Sequence, residues 1–61
     1  MWEVRGVRLV TVQEFARLVG VSRRTIYRYI KEGLPVYASE GRYIIPYDEA
    51  LKWMRKKGYP V

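Results

Sequence analysis

Arg24, Tyr27, Arg28 and Lys31 recur at spacings of three and four residues, so on an α-helix they share one face, with Arg23 at its margin. No acidic residue falls on that face. A guanidinium is a planar fork of donors that can bond two phosphate oxygens, or O6 and N7 of a guanine, at once. The chemistry open to this row is recognition of a polyanion, and Arg24 and Arg28 are the first candidates for reading base edges. Thr25 or the Tyr27 ring can meet a thymine methyl, and the Tyr27 hydroxyl can donate to phosphate. Asn is absent and the single Gln, Gln13, lies elsewhere, so the usual two-bond reader of adenine is missing from the row. Charge on a solvated helix face needs no partner in itself. The single sign of this face, directly behind a glycine turn, favours an anion.

For the row to project outward, the opposite stripe must be buried. Ile26 and Ile30 form that stripe, with Tyr29 at its edge. Ser22 is the N-cap, Val21 can staple onto Ile26, and Gly33 with Pro35 ends the helix at about Glu32. A shorter helix precedes it. Thr11 and Glu14 make a capping box, Val10 can staple onto Phe15, and Val12, Phe15, Ala16 and Val19 share a face. Gly20 supplies the positive φ of a tight turn. Two short helices separated by residues 20–22 are a helix-turn-helix candidate, whose second helix would lie in the major groove of DNA.

From Leu34 onward the period changes. Val36-Tyr37-Ala38 and Tyr43-Ile44-Ile45 flank the turn residues Ser39-Glu40-Gly41-Arg42, which predicts a β-hairpin wing with Tyr43 and Ile45 inward and Ile44 outward. Arg42 can reach a flanking phosphate or the minor groove, although a loop arginine beside Glu40 is also an ordinary solvated residue. A third helix follows Pro46, with Asp48 and Glu49 in its first turn, and runs through Lys57. Lys52, Arg55, Lys56 and Lys57 read as its solvated end, and residues 59–61 as a tail. Trp2 and Val4 alternate with Glu3 and Arg5 before Gly6 interrupts the phase, so residues 2–5 read as a strand able to pair beside the wing. The fold class is mainly α with a small β wing: three short helices, a hairpin, and this third, N-terminal strand.

The chain has 61 residues, room for one domain over 1–61 and no second catalytic or regulatory one. Such a chain buries only about 60% of its unfolded surface, so its net stability is a few kcal/mol. Twelve Lys and Arg against six Asp and Glu leave a charge of +6, which again favours a polyanion. Without Cys or His there is no thiolate chemistry and no ordinary zinc set, and no metal or cofactor is expected. Glu14, Asp48 and Glu49 have helix-end roles, and no nucleophile-base pair or phosphate-cradling loop is present, so no enzyme is expected. There is neither a membrane-length apolar run nor a signal peptide, and the expected location is cytoplasmic.

The run from Val10 to Ala16, the stretch Gly20-Val21-Ser22-Arg23-Arg24-Thr25-Ile26-Tyr27-Arg28-Tyr29-Ile30-Lys31-Glu32-Gly33-Leu34-Pro35, the segment Gly41-Arg42-Tyr43-Ile44-Ile45-Pro46 and Leu51-Lys52-Trp53-Met54 together resemble the excisionase-like, MerR-type winged-helix DNA-binding modules, over roughly residues 9–55. The resemblance implies a winged helix-turn-helix in which segment 22–31 enters the major groove and hairpin 36–45 touches the backbone. It implies DNA contact by Ser22, Arg23, Arg24, Tyr27, Arg28 and Arg42. MerR regulators continue into a dimerisation helix and an effector domain, and this chain stops at Val61, so the expectation is an excisionase or a small phage- or plasmid-type regulator. The position of Ile44 is commonly polar or basic in such modules, and residues 1–8 are unmatched.

The leading expectation is a sequence-specific double-stranded DNA-binding protein, either a transcription regulator or an accessory factor in recombination. The competing one is an interaction module whose Ile44, Tyr37 and N-terminal strand recruit a protein, as a homodimer, by self-association on DNA, or with an integrase or other partner, DNA contact being incidental. RNA fits less well, because the aromatic residues lack the spacing of a stacking platform on a sheet.

Overall fold

Two dipeptides, Arg5-Gly6 and Glu40-Gly41, turn the chain back on itself. In the computed structural model, which describes residues 1–60, these four residues have φ of 51°, 81°, 49° and 76°. Positive φ at both central positions is what a two-residue type I′ hairpin requires. The first turn joins β1 (Trp2–Val4) to β2 (Val7–Thr11), and the second joins β3 (Tyr37–Ser39) to β4 (Arg42–Pro46). β2 and β4 pair antiparallel through Leu9↔Pro46, Val10↔Ile45 and Thr11↔Ile44, which fuses both hairpins into one sheet of order β1-β2-β4-β3. The N-terminal strand is therefore separated from the wing by β2 and does not pair beside it. Gly6 does not interrupt a strand, as the alternation implied, but completes a turn between two.

The helices are α1 (Val12–Val19), α2 (Arg23–Glu32) and α3 (Tyr47–Lys57). At the head of α1 the capping box closes as the spacing predicts: Thr11 Oγ1 accepts from the Glu14 N–H and Glu14 Oε1 from the Thr11 N–H, both at 3.1 Å. The amino group of Met1 donates to the other Glu14 oxygen. That bond, followed by the one from Thr11, holds the Glu14 carboxyl below its ordinary range. Gly20 leaves α1 with φ 77°, and the N–H groups of Gly20 and Val21 both reach the Ala16 carbonyl, at 2.9 and 3.0 Å. α3 starts where β4 ends, and Pro46 gives it no side-chain cap. Asp48 in its first turn accepts two bonds from Arg8 on β2, at 2.5 and 3.3 Å, which tie sheet to helix and keep the Asp48 carboxyl low.

Val10, Phe15, Ile26, Ile45, Ala50 and Met54 have no exposed surface, so β2, β4 and all three helices meet in one core. Burying a side chain such as Phe15 or Ile26 stabilises by about 1.5–3 kcal/mol, a large share of what a chain of this size holds. Phe15 meets Tyr47 edge-on at 6.1 Å, linking α1 to α3.

Ile30, Tyr59 and Tyr43 depart from the sequence reading. Tyr29 is buried at 5% exposure while Ile30 is half-buried, the reverse of the expected order. The cause is Tyr59, which is no loose tail residue. Its N–H bonds to the Met54 carbonyl at 2.9 Å, its ring stacks on Tyr29 at 4.4 Å with Trp53 beside them, and its hydroxyl donates to Glu32, which raises the phenol's pKa. Of the expected tail, Val61 lies outside the described residues. Tyr43, expected in the core, is 41% exposed. β2 ends at the Thr11↔Ile44 pair, so Tyr43 has only β3 beside it. Ile44 lies on the outward face, as alternation predicts, and is half-buried there between its cross-strand neighbours Thr11 and Tyr37.

Candidate nucleic-acid interface

Ser22 caps α2. Its Oγ accepts from the Thr25 N–H at 3.2 Å and lies 3.0 Å from Thr25 Oγ1, so the two hydroxyls engage each other and Thr25 is half-buried. With Ile26 and Tyr29 buried, the helix is locked in rotation, and Arg23, Arg24, Tyr27, Arg28 and Lys31 all project into solvent. The structure thus brings the predicted row together on one exposed face.

The first turn of α2 breaks a rule the other helices obey. α1 carries Glu14 there and α3 carries Asp48 and Glu49, whereas α2 has no acid and begins with Arg23 and Arg24. The unpaired N–H groups of a helix start act as partial positive charge, so each cation there costs about 0.3–1 kcal/mol where an acid would gain as much. Stability does not account for such a placement. An anion arriving at this end relieves both the cations and the N–H groups.

Among the described residues, Arg23, Arg24, Lys31 and Arg42 have no ion-pair partner. Arg28 lies at the limit of one, with Nε 4.0 Å from Glu32, its side chain 66% exposed and its guanidinium 5.8 Å over the Tyr29 ring. Arg42 opens β4 opposite Ser39, at the exposed tip of the wing. The wing and α2 meet through Tyr27 and Tyr43, whose rings are 6.0 Å apart. Sequence reasoning assigned Tyr43 to the core and so missed this link. It also missed the first hairpin, which sets the place of Trp2. The available signal was Arg5-Gly6 flanked by Trp2/Val4 and Val7/Leu9, an Xaa-Gly pair between alternating segments. Lys52, Arg55, Lys56 and Lys57 are exposed on α3, Lys57 standing 5.7 Å over the Trp53 ring.

No helix is long and apolar enough to cross a membrane, and among the described residues no three His, Cys, Asp or Glu side chains gather as a metal site. A comparison with curated proteins gives no match. The family model described as a helix-turn-helix domain matches residues 9–58, from within β2 through α3, and leaves β1 outside. With a match over most of its length, and with the capped, cation-bearing second helix in place, the chain belongs to the excisionase-like helix-turn-helix domain family and is a DNA-binding module.

Proposed function

We propose that the protein is a sequence-specific binder of double-stranded DNA that acts in the cytoplasm as a transcription regulator or as an accessory factor in excisive recombination, without enzymatic activity of its own. α2 lies in the major groove with Arg24 and Arg28 on base edges. Ser22, Arg23 and Lys31 contact phosphates, Thr25 and Tyr27 provide apolar contacts and a hydroxyl, and Arg42 of the wing touches the flanking backbone. One observation carries this reading: two arginines occupy the end of α2 where helix electrostatics disfavour cations, and no acid there compensates them.

The test starts by selecting bound sequences from a random duplex pool and comparing variants on the selected and random duplexes. Arg24→Ala and Arg28→Ala are expected to lose about 1–3 kcal/mol on the selected duplex and little on random DNA, whereas Arg42→Ala weakens both. Equal losses on both duplexes for all three variants would refute base readout.

A second reading, self-association of this module through its sheet, is favoured by Val4, Val7 and Tyr37, exposed apolar residues that alternation and register place on the sheet face opposite Val10 and Ile45. Sedimentation velocity of the wild type and Val4→Asp decides it, and a concentration-independent monomer would dismiss it.

A further inference from the structure

An open groove of about 380 Å³ separates the N-terminal end of α2 from the wing, and part of its wall comes from outside the family match. Arg23 of α2 and Arg42 of the wing bring cations to it, Tyr27 and Tyr43 bring their paired rings, and Ile44 and Trp2 add an apolar wall. None of its lining residues carries a carboxylate. Trp2 is set there by β1. The register Trp2↔Leu9↔Pro46, two residues along from Thr11↔Ile44, puts the indole on the sheet face that Ile44 shares, and it is 43% exposed.

Two guanidinium groups beside an apolar wall match a ligand that alternates anionic and apolar groups along its length. A DNA strand does this, phosphate by deoxyribose. We infer that the groove seats the sugar-phosphate backbone of one strand of duplex DNA and that Trp2, contributed by the extra N-terminal strand, is part of the interface. This rests on the DNA-binding reading and deepens it. Arg23 and Arg42 take phosphates, while the indole and Ile44 lie against deoxyribose. The indole also bounds how far the backbone can stand from α2, and so fixes how deeply α2 enters the major groove. Ile44, out of place as a solvent-facing strand residue, has a role as the neighbour of that wall.

The chain has two tryptophans, so Trp53→Phe leaves Trp2 as the sole indole reporter. Acrylamide quenching of that variant is measured with and without a 30-base-pair random duplex at low salt, and binding is followed separately by the anisotropy of a labelled duplex. In the unsubstituted chain the two indole N–H signals in an NMR titration give the same information if Trp53→Phe does not fold. The expected result is that saturation with duplex lowers the Trp2 quenching constant about twofold or more and shifts its indole N–H signal. Trp2→Ser is expected to weaken duplex binding about three- to tenfold, while Leu18→Ser, at an exposed apolar residue of α1 outside the groove, leaves it unchanged. Duplex retained with Trp2 as quenchable as in the free protein overturns the proposal, as does an equal loss in the Trp2 and Leu18 variants. Shielding that grows with protein concentration in the absence of DNA gives the indole to a second copy and also overturns it. A chain that retains no duplex at all refutes the DNA-binding reading itself, an outcome the anisotropy identifies separately.

Discussion

Five cations, Arg23, Arg24, Arg28 and Lys31 on α2 and Arg42 on the wing, are exposed, and the number of them that meet phosphates predicts how binding responds to salt. Each phosphate neutralised on B-DNA contributes about −0.9 to the slope of log K against log salt. With Arg23, Lys31 and Arg42 on phosphates the slope is about −2.7, and affinity falls roughly 40-fold between 50 and 200 mM salt. The double variant Arg23→Ala/Arg42→Ala, which removes two phosphate contacts, is expected to reduce the slope by about 1.8. Lys52, Arg55 and Lys56 are equally exposed but sit on α3, and replacing all three by Gln is expected to leave the slope unchanged. Exposed substitutions of this kind change stability by about 0.5 kcal/mol or less, so both variants stay folded. Anisotropy of a labelled random duplex across a salt series measures all three slopes. A wild-type slope shallower than about −2, or a larger change from the α3 variant than from the α2 and wing variant, would refute the assignment of the face.

Thr11→Ala opens the capping box at α1 and is expected to cost about 1 kcal/mol, seen by circular dichroism as a melting point lower by about 4–8 °C; an unchanged melting point would mean that α1 does not depend on its cap. The Asp48 carboxyl is held low by Arg8, so the folded form binds fewer protons than the unfolded one in acid, and its contribution is complete above the ordinary value of 3.8 and lost as pH falls through the depressed one. Asp48→Asn removes that part of the pH dependence, and the acid limb of melting temperature against pH should be shallower than in the wild type.

Helices were legible in this sequence because their signals are local. Thr11 and Glu14, Ser22, Gly20 and Gly33 mark boundaries within a few residues of the bonds they make, and α1 and α2 lie where those residues place them. The exposed row on α2 was legible for the same reason, since one buried stripe fixes the rotation of a helix. Sheet and tail were less so. Pairing β2 with β4 joins residues more than thirty positions apart, and Leu9↔Pro46 leaves no mark in either segment alone. The exposure of Tyr43 follows from where β2 ends and could not be read from its own strand, whereas Tyr29 was legible at the edge of the buried stripe and Tyr59 completes its burial. Arg5-Gly6 was a readable turn, but Gly6 carries two meanings, a break in a strand or the second residue of a hairpin, and only the strand beyond it decides between them.

What separates α2 from the rest of the molecule is that its local and global requirements conflict. In α1 the cap, the first-turn acid and the buried face all favour the same helix, and α3 has its acids at the start and its cations at the end. α2 has a hydroxyl cap, a buried Ile26 and a buried Tyr29, yet its first turn holds the two charges least suited to it. Packing stabilises the helix and its own sequence partly opposes it. A chain of 61 residues carrying +6 has little stability to give away, and the placement costs it about 1 kcal/mol or more in the free state. Elsewhere its charges largely follow helix polarity. A departure confined to the one exposed face that ends at a helix start marks where folding has given way to binding, and the cost falls away when phosphates supply the missing negative charge.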